Sequence, residues 1–161
     1  MLRILAILIF GTSISLSVTA QYDYKTAVGV RAGFDQGLTI KHLFNSTDAV
    51  EGILSFRYRG FVATALWERH ANAFAVDRLN WYYGAGAHIG FWSYYDGHPW
   101  YDDDDDGSKT VIGIDGILGI EYNIKEIPIN VSLDYKPAFN IIGFNNAVFD
   151  GGALSVRYML P

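Results

Sequence analysis

The sequence contains no cysteine, only four prolines, and little charge: 18% of its 161 residues are Asp, Glu, Lys or Arg. Without cysteine there is no disulfide scaffold, thiolate metal site, cysteine nucleophile or cysteine-linked lipid anchor. The net charge of −5 gives no general basic field for nucleic acid. Sparse charge combined with 16% aromatic residues argues against disorder. Beyond Gln21 no apolar run approaches the roughly 20 residues of a membrane helix, and no helical period is sustained. The length suits a single domain.

Residues 1–20 read as an address label. Arg3 is followed by an apolar run over 4–10, then by small and hydroxyl residues ending Val18-Thr19-Ala20. This pattern predicts a signal peptide cut before Gln21. A membrane anchor fits less well, because the run is short and Gly11, Thr12, Ser13 and Ser15 dilute it. The folded domain is expected over 21–161.

In that domain apolar residues alternate with polar or small ones, the strand signal. Eight runs are expected, near 22–34, 37–44, 50–58, 61–69, 79–91, 111–122, 129–137 and 152–160. In the fifth, Leu79, Trp81, Tyr83, Ala85, Ala87, Ile89 and Phe91 oppose Asn80, Tyr82, Gly84, Gly86, His88 and Gly90. A soluble sandwich or lipocalin-like barrel also alternates, but its outer face would be rich in Lys and Glu. Here the polar face is thin and the apolar face uniform, as in a lipid-facing wall around a small polar interior.

Strand direction adds a second argument. With strands running alternately up and down, Tyr22, Tyr24, Phe44, Trp67, Trp81, Tyr83, Tyr122 and Tyr158 gather at one end. Phe34, Phe56, Tyr58, Phe61, Phe91 and Tyr135 gather at the other, with aliphatic residues between. Two aromatic girdles around an aliphatic band mark a membrane barrel. The fold class expected is therefore all-β: an eight-stranded antiparallel transmembrane up-and-down β-barrel. Long outer loops are expected at 92–109 and 139–150, and a longer inner loop at 70–78.

Two stretches, Gly119-Ile120-Glu121-Tyr122-Asn123-Ile124-Lys125-Glu126-Ile127-Pro128-Ile129-Asn130-Val131-Ser132-Leu133-Asp134-Tyr135-Lys136-Pro137 and Gly151-Gly152-Ala153-Leu154-Ser155-Val156-Arg157-Tyr158, carry a resemblance to a family. The chain resembles the small eight-stranded outer-membrane barrels of the OmpA/OmpX type, in the form common in Bacteroidetes-type bacteria. The resemblance implies a bacterial outer-membrane location; the signal peptide and strand parity then imply a periplasmic N-terminus and an extracellular acidic loop. Such barrels usually end in an aromatic residue; this chain ends Tyr158-Met159-Leu160-Pro161, leaving Tyr158 to serve.

The inward face collects Glu51, Glu68, Asp115, Glu121 and Asp134 against Arg31, Lys41, Arg57, Lys136 and Arg157, with His88 beside them. Buried charge is costly unless paired, so a neutral network is the simplest reading. A narrow ion or proton path is the functional alternative. Inward glycines at 84, 86, 90, 113 and 119 leave room for long side chains.

Six of the 17 acids, Asp96 and residues 102–106, fall in one loop; apart from them the chain beyond Gln21 balances at 11 to 11. Asp102, Asp104, Asp106 and Gly107 match the opening of a calcium loop, but the later Glu is replaced by Gly113. A looser oxygen-ligand site for calcium or another divalent cation, or a solvated acidic loop bridging lipopolysaccharide, remains open. Trp92, Tyr94, Tyr95, His98, Trp100 and Tyr101 precede the acids and form a candidate surface-binding cluster.

No cofactor motif is present. The histidines His42, His70, His88 and His98 form no nucleophile, base and orienter set in the sequence, so catalysis is not expected. Asn45-Ser46-Thr47 matches a glycosylation pattern by chance. The expected roles are a non-enzymatic surface barrel acting structurally or by binding, an accessory subunit packed on a larger outer-membrane complex, or a narrow channel. The smooth wall of Ala63, Ala65, Ala85 and Ala87 suits the second.

Overall fold

Alternating strands with one polar and one apolar face must curl if the polar face is to satisfy itself, and here they close completely. The computed structural model describes residues 24–57, 60–92, 109–143, 147–148 and 151–161. They form β1 (Thr26–Gly33), β2 (Gly37–Leu43), β3 (Asp48–Arg57), β4 (Gly60–Asn72), β5 (Leu79–Trp92), β6 (Lys109–Asn123), β7 (Ile129–Tyr135), β8 (Ala138–Ile142), β9 (Ala147–Val148) and β10 (Gly152–Leu160). No helix occurs among them. The signal peptide expected at 1–20 lies outside the described residues.

Successive strands pair antiparallel, and β1 pairs with β10, Thr26 opposite Leu160, to close the barrel. The ten strands make eight staves. β7 and β8 are one stave, because both keep the same register on β6: Leu118 faces Tyr135 and Asp115 faces Ala138. Pro137, which has no N–H, interrupts the ladder between them while its carbonyl accepts from Gly116 N at 2.9 Å. β9 pairs with β8, and β10 continues the eighth stave beside β7. Carried around the circuit, the registers return to β1 about ten residues along, a stagger that tilts the strands by about 40°.

The faces are inverted relative to a soluble protein. Inward positions are polar: Arg31, Lys41, Glu51, Glu68, Glu121, Asn130, Asp134 and Arg157 are all buried. Outward positions are apolar and exposed, among them Val30, Leu38, Ile40, Ile114, Leu118, Leu133 and Val156. Of the charged side chains described, those on the exterior are Lys25, Asp48, Arg69, Asp77, Arg78, Lys125 and Glu126, all at the rim that carries the β2–β3, β4–β5 and β6–β7 connections. We call this the lower rim.

Exposed aromatic side chains lie toward both rims. Phe34, Phe56, Phe61 and Phe91 stand at the upper end, and Phe44, Trp67, Tyr83, Tyr122 and Tyr158 toward the lower. Phe61 and Phe91 meet across β4 and β5 at 5.2 Å, and Trp81 stacks on Tyr83 at 5.4 Å. Tyr22 and Tyr58 lie outside the described residues.

Several expected details differ. Tyr24, expected on the outer wall, is 6% exposed: the chain bends at Lys25, turning Tyr24 inward onto Ala27, Leu43, Ala49 and Met159, which together seal the lower end. The outer loop expected from Phe139 begins later, since 138–142 is strand. The fourth run continues to Asn72, which makes His70 an inward residue and shortens the lower loop. Inward positions also include apolar Ile53, Leu66 and Ile117, which pack on Tyr82.

Glycines make this tight curvature workable. At Gly29, Gly37, Gly84 and Gly86 an added Cβ would run into the carbonyl of the neighbouring strand. Gly90 and Gly119 instead leave space for the rings of Trp92 and Tyr82, and Gly113 does both, facing the Phe139 carbonyl and the His88 ring. A Cβ on Gly119 would sit 2.5 Å from Tyr82 Cζ. Gly119→Ala is therefore expected to displace Tyr82 and lower stability by about 1–3 kcal/mol, measured as the urea midpoint of the refolded barrel.

Candidate functional site

The charged interior divides into two clusters. In the lower one, Lys41 Nζ lies 2.8 Å from Glu68 Oε2, 3.3 Å from Glu51 Oε2 and 3.4 Å from Glu121 Oε2. Arg157 pairs with Glu51 and donates to Thr39 Oγ1 at 3.2 Å, Asn130 Oδ1 at 3.1 Å and Ser132 Oγ at 2.8 Å. Thr39 also donates to Glu51, and Asn130 Nδ2 donates to Asn123 Oδ1 at 2.7 Å. His70 Nε2 is 3.0 Å from Glu68 Oε2. These side chains project inward because they hold one parity of their strands, within a few residues of the lower turns.

In the upper cluster Arg31 makes a two-pronged pair with Asp134, one prong 2.8 Å, and reaches Asp35 Oδ2 at 3.4 Å. Lys136 Nζ joins Asp115 Oδ1 at 2.9 Å to Asp35 Oδ2 at 3.3 Å. Asp115 also meets His88 Nδ1 at 2.7 Å, and His88 Nε2 is 2.9 Å from Asn140 Oδ1. Tyr82 links the levels. Its ring lies 3.9 Å under Lys41 Nζ, and its hydroxyl donates to Asp134 Oδ2 at 3.0 Å. Only the aromatic ring lies between the two contacts, so Tyr82 offers no chain of exchangeable protons from one cluster to the other.

The contacts cross the lumen. β2 and β6 are four staves apart in an eight-stave barrel, so the Lys41 to Glu121 contact spans its diameter. Arg157 on β10 reaches Glu51 on β3, three staves away. At this level the interior is filled by paired side chains, which is how an eight-stranded barrel usually accommodates its core.

The structure brings together Arg31, Lys41, Glu51, Glu68, His88, Asp115, Glu121, Asp134, Lys136 and Arg157. Arg57 belongs to the β3 backbone, and its side chain lies outside the described part. Two members were missed. Asp35 falls in the gap between the first two expected runs, and the signal for it was its spacing of four from Arg31. His70 was assigned to a loop, and the signal was its two-residue step from Glu68.

Trp92, expected in the exposed aromatic cluster, is the last inward residue of β5, 7% exposed. Strand parity from His88 through Gly90 places it there. Tyr94, Tyr95, His98, Trp100, Tyr101, Asp102, Asp104 and Asp106 lie outside the described residues. Among the described residues no set of three His, Asp or Glu is arranged to hold a metal ion.

Comparison with models of known protein families gave no match, and comparison with curated proteins gave none either.

Removing one partner of a buried ion pair strands the other charge. Asp134→Ala leaves Arg31 and the Tyr82 hydroxyl without their shared acceptor. It is expected to cost about 3–5 kcal/mol in urea unfolding. Glu126→Ala, in the exposed β6–β7 turn, should leave the midpoint unchanged.

Proposed function

We propose that the chain is a non-enzymatic barrel of a bacterial outer membrane. Its closed lumen makes it a membrane-embedded support for the loop between β5 and β6, which acts structurally or binds at the surface. The observation that carries this reading is the outer wall, which is apolar and bears its described charges only at one rim. The stretch of β5 from Trp81 to Phe91, at about 3.3 Å per residue and a tilt of about 40°, stands about 25 Å tall. That is the height of the apolar band of an outer-membrane barrel. In water such a wall would aggregate.

In this reading the lower rim is periplasmic and the acidic, aromatic loop extracellular. Lipid and lipopolysaccharide are the first partners, the latter through divalent ions held by Asp102, Asp104 and Asp106. Conduction is disfavoured because Lys41 and Glu121 meet across the lumen. A second reading, an accessory subunit packed on a larger outer-membrane complex, has one observation in its favour. Gly52, Ala65 and Ala87 are in register on adjacent strands, with Ala63 and Ala85 beside them, and make a smooth patch on the wall.

The full chain should fractionate with outer membranes and migrate differently on unboiled gels. Recovery as a soluble protein overturns the proposal. Ala87→Arg, near the middle of the wall, should cost about 2–4 kcal/mol in lipid vesicles. Serine at residues 102–106 should leave the barrel folded and abolish calcium binding in calorimetry. Equal calcium responses from the two proteins would remove the metal from the proposal. Co-purification with a larger membrane protein in mild detergent would favour the accessory role.

A further inference from the structure

The lower cluster is one positive charge short. Its fixed cations are Lys41 from β2 and Arg157 from β10, and its carboxylates are Glu51 from β3, Glu68 from β4 and Glu121 from β6. The other walls add no further buried fixed charge: Tyr24 and Ala27 line the cluster from the first stave, β5 contributes Asn80 and Tyr82, and the seventh stave Asn130 and Ser132, while Asp48 faces His70 from the rim, where it pairs with Arg69. All five charged side chains are sealed from solvent. An uncompensated negative charge in such a place is strongly unfavourable.

The His70 imidazole occupies the gap. Its Nε2 is 3.0 Å from Glu68 Oε2 and its Nδ1 is 3.4 Å from Glu121 Oε1, while its face stacks on Tyr82 at 5.0 Å. A neutral imidazole has one N–H and one lone pair. With a carboxylate beside each nitrogen, the lone pair of a neutral ring would oppose one of them, whereas an imidazolium donates to Glu68 and stands at ion-pair distance from Glu121. His88 differs: beyond Asp115 it meets the Asn140 amide, which can accept or donate, so a neutral ring also fits.

We propose that the lower cluster holds one bound proton, carried on His70 between Glu68 and Glu121, and that its release loosens this end of the barrel. His70 is thus a proton-operated latch joining β4 to β6. This inference goes beyond the proposed function and holds in detergent or in lipid. The sign is fixed by linkage. The folded barrel keeps the proton, while the unfolded chain gives it up above about pH 6.5, so the latch weakens as pH rises and is fully engaged at lower pH.

The test is nitrogen-15 NMR of the full chain refolded in micelles near neutral pH. The histidines are assigned with His42→Gln, His88→Gln and His98→Gln variants. Both ring nitrogens of His70 should carry protons. In parallel, the urea midpoint of the wild type should fall between about pH 7 and about pH 9.5, and that of His70→Gln should be flatter. A bare ring nitrogen on His70 near neutral pH, or an identical pH profile for the variant, overturns the proposal. If His70→Gln does not fold, the wild-type spectrum decides alone.

Discussion

The lower half of this barrel converges on one ammonium group. Lys41 reaches carboxylates on three other staves, and Arg157 ties a fourth and fifth into the same assembly. In a closed lumen none of these charges can turn to water, so each fixes the placement of the strand that carries it. A one-residue slip of any stave would send its charge to the outer wall and its aliphatic side chains into the lumen. The ion pairs therefore act as keys for register as much as sources of energy.

The rest of the architecture follows from that inversion. The inner apolar groupings are modest: Tyr24 with its neighbours at the lower end, and Ile53, Leu66, Tyr82 and Ile117 at mid-height. Cohesion comes instead from a hydrogen-bond ladder without free edges, braced across its bore by charged and hydrogen-bonding side chains. Many of the glycines stand where a neighbouring carbonyl comes too close for a Cβ or where a ring must be housed. The exterior is left to a single task, presenting hydrocarbon and aromatic surface.

Much of this was legible in the sequence because the side-chain period of a strand is two. Alternation identified all eight staves and the inward parity of Lys41, Glu51, Glu68, Glu121, Asp134 and Arg157. Legibility failed where parity met a terminus or an interruption. A bend at Lys25 reversed Tyr24, and nothing in the local pattern signals a bend. Pro137 reads as a strand end, yet the ladder resumes beyond it because only one donor is missing. His70 and Trp92 were lost by stopping their strands three residues and one residue early. Which acid meets which base depends on the stagger between distant staves, a property of the closed circuit that no single segment encodes.

The seam between β1 and β10 has a kinetic meaning. Thr26 and Leu160 lie at opposite ends of the domain, so their pairing brings together the most distant parts of the chain. Contacts of such long sequence separation form slowly, since chain entropy is lost before they are rewarded. Until the seam shuts, the sheet has two bare edges, each able to pair with a second copy. The same geometry that leaves the finished barrel without an edge makes its last step the most vulnerable one, and a factor that shields or guides β10 would act there.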